Sequence, residues 1–209
     1  MAVERRGVLF VVSAPSGAGK TTLCKALVAA VPGLHASVSC TTRTPRPGEV
    51  HGRDYYFVDE AAFQAMVERN AFAESARVYG QFYGTPRQAL TDMMEKGLDV
   101  LLEIDTQGTM QIKEKFADGV YIYILPPSIA ALKTRLTQRG DAPEDIQHRM
   151  QKARQEILSY QEYDYIVRNE DLTKASQELQ AIVYAERAKM KRIDIAWLER
   201  NFLSDSPSS

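Results

Sequence analysis

The sequence predicts an α/β protein whose parallel sheet is covered by helices. Two observations carry this expectation. Its longer apolar runs, such as GVLFVV, LDVLLEI and VYIYIL, are too continuous for strands with one wet face, so they read as strands buried on both sides. These runs alternate with segments of helical period, and strand–helix alternation is the pattern of a doubly wound fold. At 209 residues the chain suits one domain with a sizeable core.

In chain order, strands are expected at GVLFVV, ASVSC, LDVLLEI, VYIYIL and DYIV. Helices are expected over 21–31, 59–69, 86–96, 106–116, 128–139, 144–160 and 172–190. Thr85 followed by Pro86 reads as an N-cap with proline in the first helical position. Leu172, Ala175, Leu179, Ile182 and Val183 form one apolar stripe, and Ile146, Met150, Ala153, Ile157 and Tyr160 another, so both are assigned to the core. Residues 41–85 break the alternation. Their turns, aromatics and arginines read as an inserted, partly β lobe. RLTQRGDAPEDIQHR is a charged bend between two helices, and SDSPSS a frayed tail.

Composition narrows the partners. A formal net charge of −1 leaves no global field to draw in nucleic acid or an anionic membrane, so anions must be held by local clusters of Arg and Lys. Cys24 and Cys40 have neither metal-ligand neighbours nor the numbers for a disulfide framework, which points to a reducing compartment, the cytoplasm. Arg5 and Arg6 before an apolar run imitate a signal peptide, but the run is short and leads into a glycine-rich loop. No stretch approaches the roughly 20 apolar residues of a membrane span.

The chemistry starts at SAPSGAGKTTL. A strand ending at Ser13 and a helix opening near Lys20 let consecutive backbone N–H groups face one phosphate at the positive end of the helix. Lys20 would reach the β and γ phosphates, and the Thr21 hydroxyl would bind Mg²⁺. The strict pattern G-x-x-x-x-G-K-[ST] asks for glycine where Ala14 stands. A methyl is tolerated there if the backbone stays in an ordinary region. The predicted architecture is therefore a P-loop NTPase core with an inserted, partly β lobe and a charged bend between two helices.

In SVSCTTRTPRPGEVHGRDYY, Arg43 and Arg46 lie on a segment stiffened by Pro45 and Pro47, with Tyr55 and Tyr56 following. Guanidinium forks suit a phosphate on a small acceptor. Composition alone reads the same segment equally well as a solvated basic loop. His35, His51 and His148 are scattered and expected at the surface, so no nucleophile and base pair is in view.

SAPSGAGKTTL, SVSCTTRTPRPGEVHGRDYYFV, YGQFYGT, LLEIDTQG and RLTQRG, in this order, closely resemble guanylate kinase. The resemblance runs from about Gly7 to about Met190. It implies phosphoryl transfer from ATP to GMP with Mg²⁺, on a core of 7–38, 86–134 and 155–190. The GMP-binding lobe would be 39–85, the short helical lid 135–154 and the tail 191–209. It implies that ATP meets Ala14, Pro15, Ser16, Gly17, Ala18, Gly19, Lys20, Thr21, Thr22 and Asn169. The GMP phosphate falls to Arg43, Arg46, Tyr55 and Tyr83, and guanine to Ser39, Glu74, Thr85 and Asp105, with Glu103 nearby. Lid arginines Arg135, Arg139 and Arg149 would close over the ATP phosphates and, with Lys20 and Arg43, carry catalysis. Without the resemblance, Glu74 reads as a surface acid, Asp105 as a helix N-cap and the lid arginines as a solvated face. The rival readings are a scaffold-type binding module that has lost catalysis, and a P-loop kinase for a different phosphorylated acceptor.

Overall fold

The computed structural model describes residues 5–78, 80–138, 140 and 142–203. Its elements are β1 (Leu9–Ser13), α1 (Lys20–Ala30), β2 (Leu34–Ala36), β3 (Cys40–Thr41), β4 (Tyr56–Phe57), α2 (Glu60–Glu68), β5 (Phe72–Val78) and β6 (Gln81–Pro86). They continue with α3 (Arg87–Glu95), β7 (Asp99–Glu103), α4 (Thr106–Lys115), β8 (Val120–Leu125), α5 (Ile129–Gln138), α6 (Pro143–Ile157), β9 (Tyr165–Arg168), α7 (Leu172–Arg187) and α8 (Ile195–Leu198).

The main sheet is parallel throughout, in the order β2-β7-β1-β8-β9. Strand β1 shows why its sequence is apolar without alternation. Phe10 and Val12 pack with Leu23 and Leu27 of α1 and Leu179 and Val183 of α7, while Leu9 and Val11 pack on the other face with Leu90, Met94 and Ile112 of α3 and α4. Each such side chain contributes about 1.5–3 kcal/mol on burial, so a strand covered on both faces must be apolar at every position. From β1 the chain runs through α1 to β2 on one side, whereas from β7 it runs through α4 to β8 on the other. The crevice beyond the carboxyl ends of β1 and β7 is therefore the switch point, where such sheets bind ligands.

A second sheet, β4-β3-β6-β5, is built within 40–86. The β3/β4 pair is parallel, and β6 is antiparallel to β3 and β5. Its core is aromatic: Phe63 of α2 stacks on Phe72 and Phe82 at 4.6 and 5.4 Å.

Three local expectations are corrected. The run ASVSC is not one strand, because Leu34–Ala36 pairs with β7 while Cys40–Thr41 pairs with β4 and β6, so the chain changes sheets at 37–39. Thr85 does not cap a helix. Its hydroxyl donates to Glu74 across the β5/β6 pair, Pro86 takes the N-cap position, and α3 starts one residue later. Leu172 and Tyr160 are exposed rather than core, since each stands at or beyond a helix end, where the apolar stripe leaves the packed face. Arg139 and the tail SDSPSS lie outside the described residues. Among the described residues no helix is long and apolar enough to cross a membrane.

At the opposite end of the sheet from the crevice, Asp99 has a fully buried side chain. It accepts from both Arg5 Nη groups at 2.8 Å, from Arg187 Nε at 2.6 Å and from the Val8 amide at 2.8 Å. Burial alone would push this carboxyl up. The hydrogen bonds from Arg5, Val8 and Arg187 outweigh it and hold the carboxyl below the ordinary carboxylate range. Because the folded pKa is depressed, the stabilisation is present above the unfolded carboxylate range and lost as pH falls through the folded value. Asp99→Asn leaves two part-buried guanidinium groups facing an amide and should destabilise the fold by roughly 3–5 kcal/mol, read as a lowered urea midpoint at neutral pH. The gap between variant and parent should narrow on acidification.

Candidate active site

Between β1 and α1 the chain turns through Gly17 and Gly19, both left-handed at φ 91° and 92°. Gly19 is also the N-cap of α1, and it supplies no side-chain hydrogen bond to the first turn. The leading N–H groups of an 11-residue helix therefore point into the loop without a side-chain cap, which is the arrangement that takes an anion. A Cβ at Gly19 would stand 2.4 Å from Asn169 Nδ2, so glycine is required there for packing as well as for φ. Ala14 needs no such freedom: among the described residues Asn70 alone of the non-glycines has positive φ, and the Ala14 methyl is buried in the main core.

The loop is braced by its neighbours. Asn169 Nδ2 donates to the Ala18 carbonyl at 2.7 Å, and Arg135 donates to the carbonyls of Ala18 and Asn169 at 3.1 and 2.8 Å. Asn169 and Arg135, expected at the nucleotide, thus hold the loop's shape, and Arg135 also lines the cavity beside it. Lys20 Nζ donates to the Ile104 carbonyl at 2.6 Å, which also accepts from Ser13. The Thr21 hydroxyl donates to Glu103 Oε1 at 2.5 Å. Glu103, expected near guanine, is joined here to the Thr21 position.

Residues 14–22 line one open cavity of about 610 Å³ together with Val78, Asp105, Arg135, Gln138, Lys152 and Glu156. Arg149 lies half-buried on α6 and is not among the described residues that line it. Four lining residues were not anticipated from the sequence: Val78, Gln138, Lys152 and Glu156. For the last two a signal existed, since they follow Arg149 at helical spacing on one face of α6.

Behind Asp105 lies a row of polar groups. Ser39 Oγ and Thr85 Oγ1 are 3.2 Å apart, and Thr85 donates to Glu74 Oε1 at 2.6 Å. Glu74 is 3% exposed. Burial pushes its carboxyl up to about 7, the Thr85 hydroxyl opposes this, and nearby Asp105 adds to it. Asp105 itself caps α4, accepting from the Gly108 amide at 2.9 Å. A Cβ at Gly108 would meet Glu74 Oε2 at 2.8 Å, so this glycine is what lets the helix approach the acid.

Arg43 donates to Glu49 at 2.9 Å and lies over the rings of Tyr55 and Phe57 at 5.5 and 5.9 Å. The Arg46 amide donates to the other Glu49 oxygen at 2.7 Å, while the Arg46 side chain is exposed. Glu49, not singled out in the sequence, is held below the ordinary carboxylate range by Arg43 and by that amide. Tyr55 and Tyr83 meet edge to face at 6.1 Å. Arg43, Tyr55 and Tyr83 are therefore brought together.

Comparison with known proteins agrees with this arrangement. The family model described as guanylate kinase matches residues 6–186. The guanylate kinase of Nitrobacter winogradskyi is 53% identical over 192 residues, covering 91% of this chain and 88% of that one. That of Geobacter sulfurreducens is 47% identical over 192 residues, covering 91% and 95%. The crystal structure of guanylate kinase from Anaplasma phagocytophilum superposes with a TM-score of 0.80 at 35% identity, over 98% of this chain and 100% of that one. With a parallel sheet, a braced phosphate loop and a family match over most of its length, the chain belongs to the guanylate kinase family.

Proposed function

We propose that the loop 14–22 holds ATP and that Ser39, Glu74, Thr85 and Asp105 hold the base of GMP, with Arg43, Arg46, Tyr55 and Tyr83 around its phosphate. The chain transfers the γ-phosphoryl group of ATP to GMP, giving ADP and GDP. The observation that carries the residue assignment is the position of Asp105, which lines the phosphate cavity on one side and bears on Glu74 on the other. A base read by Glu74 and a phosphate loop reached past Asp105 belong to one continuous site.

The chemistry fits the donor set. Guanine offers two donors, N1–H and the 2-amino group, beside the O6 acceptor. A carboxylate takes the donors, and a hydroxyl donates to O6. Adenine has an acceptor at N1, which a carboxylate repels, and leaving buried polar groups unpaired can discriminate by roughly 10⁴–10⁵. The attacking group is a phosphate oxygen of GMP, largely ionised at neutral pH because its second pKa is about 6. No general base is demanded. Lys20 and Arg43 position and neutralise the two anions.

Mg²⁺ is the cofactor we assign. Thr21 and Glu103 form an oxygen-donor pair at the loop's mouth, the hard ligand type this ion takes beside water and substrate phosphate. When bound, the ion supplies positive charge to the phosphoryl oxygens as the reaction proceeds. Closure of the 39–85 lobe and the 135–154 lid would exclude water, and the bracing of the loop by Arg135 from α5 supports that coupling. Two free, buried thiols, both pushed up by burial, support the cytoplasm as its compartment.

Three outcomes test this. Turnover of Mg·ATP, followed as ADP release, should be fast with GMP, slow with AMP, CMP or UMP, and near background without an acceptor. Lys20→Ala should lower kcat by about 10²–10³-fold. The KM for GMP should fall as pH rises from 6 to 8, because Glu74 must lose its proton to accept from guanine. Glu74→Gln should raise that KM and leave only the shallower dependence of the GMP phosphate itself.

A further inference from the structure

Helix α6 presents two residues to the phosphate cavity that the site as described does not use. Lys152 and Glu156 are one turn apart, with their charged groups 3.5 Å apart. Both line the cavity alongside Gly17–Lys20 and Arg135. Their exposure differs: the Lys152 side chain keeps 27%, while Glu156 keeps 9%. Glu156 Oε2 is buried and makes no hydrogen bond. A carboxylate in that position is costly unless a cation stays beside it.

The surroundings of Glu156 explain how it holds Lys152. Burial raises its carboxyl most. Lys152 and the Ser16 amide of the phosphate loop favour its charged form, whereas Asp105 across the cavity disfavours it. The Tyr163 and Tyr123 hydroxyls are buried without partners, and both feel the charge of Glu156. Glu156 thus sits against the phosphate loop and keeps an ammonium group at the cavity wall. That ammonium is long-stemmed and faces the space that a triphosphate would fill.

We propose that Lys152 is a further phosphate ligand of this site, reaching the triphosphate of ATP while it stays beside Glu156, and that Glu156 is a positioning residue acting through it. The inference rests on the assignment of ATP to the loop 14–22. It follows from charge balance in the cavity. Before the nucleotide enters, Glu156 and Lys152 neutralise each other; a triphosphate carries several charges and offers oxygens to the donors of the ammonium that Glu156 leaves unused. Lysine suits this role because its ammonium is a compact charge on a flexible four-carbon stem.

The test is equilibrium binding of Mg·ATP in the absence of GMP, by displacement of a fluorescent ATP analogue, with GMP affinity measured in parallel. Lys152→Gln should weaken ATP roughly tenfold or more, the scale of one charge-assisted contact, and flatten the salt dependence of binding, with GMP affinity unchanged. Lys152→Arg, which keeps the charge, should recover most of the loss. Glu156→Gln tests the positioning role: in that background Lys152→Gln should cost clearly less than in the parent. ATP affinity and salt dependence unaltered by Lys152→Gln would overturn the inference while leaving the ATP site intact. Equal losses for ATP and GMP, together with a lowered thermal midpoint, would also overturn it, as a packing role. If the parent protein fails to bind Mg·ATP, the assignment of the loop itself falls, and this inference with it.

Discussion

The parallel pairing of β1 with β7 is the contact on which the site depends. Its register sets Val12 opposite Glu103, so the phosphate loop leaves one strand where the other delivers Glu103, Ile104 and Asp105. Each of these three residues then has a separate task. Glu103 takes the Thr21 hydroxyl, the Ile104 carbonyl takes Lys20 and Ser13, and Asp105 starts α4 while facing both halves of the site. A slip by one residue would exchange the two packed faces of β7 and scatter all three. The buried Asp99, at the far end of the same strand, opposes such a slip through two guanidinium groups and an amide.

Glycines mark where backbone meets something that cannot move. Gly19 clears the Asn169 amide and Gly108 clears the Glu74 carboxylate. In both cases the neighbour is a polar group fixed by its own hydrogen bonds, Asn169 to Ala18 and Glu74 to Thr85. The phosphate half and the proposed base half are thus built alike: a helix start with a left-handed or side-chain-free residue lets a side chain from another element approach closely.

The sheet was readable from the sequence because continuous apolar runs have few alternatives, and β1, β7 and β8 fall within such runs to within a residue. The loop was readable because its residues are contiguous. What stayed hidden depends on distant pairs. That ASVSC divides between two sheets is decided by β7 and β6, which lie at least 40 residues further on. That Thr85 bonds to Glu74 rather than to the start of α3 follows from strand register. Arg135 and Asn169 carry the residue types that meet phosphates and bases, and their bonds to the Ala18 carbonyl were not to be foreseen from that. Residue type reports what a side chain can bond to, and only packing decides which partner it finds.

The row Ser39–Thr85–Glu74 has a direction. A hydroxyl has one proton, and that of Thr85 is given to Glu74. The Ser39 proton is then left to point toward Thr85 or outward, while the far end of the row shows only lone pairs. Donor at one end and acceptor at the other is the order that guanine would mirror in the base site proposed above. A proton placed on Glu74 would let the row run backwards, with Glu74 giving to Thr85 and Thr85 to Ser39. One proton at a buried carboxyl therefore sets the sense in which the whole row can be read.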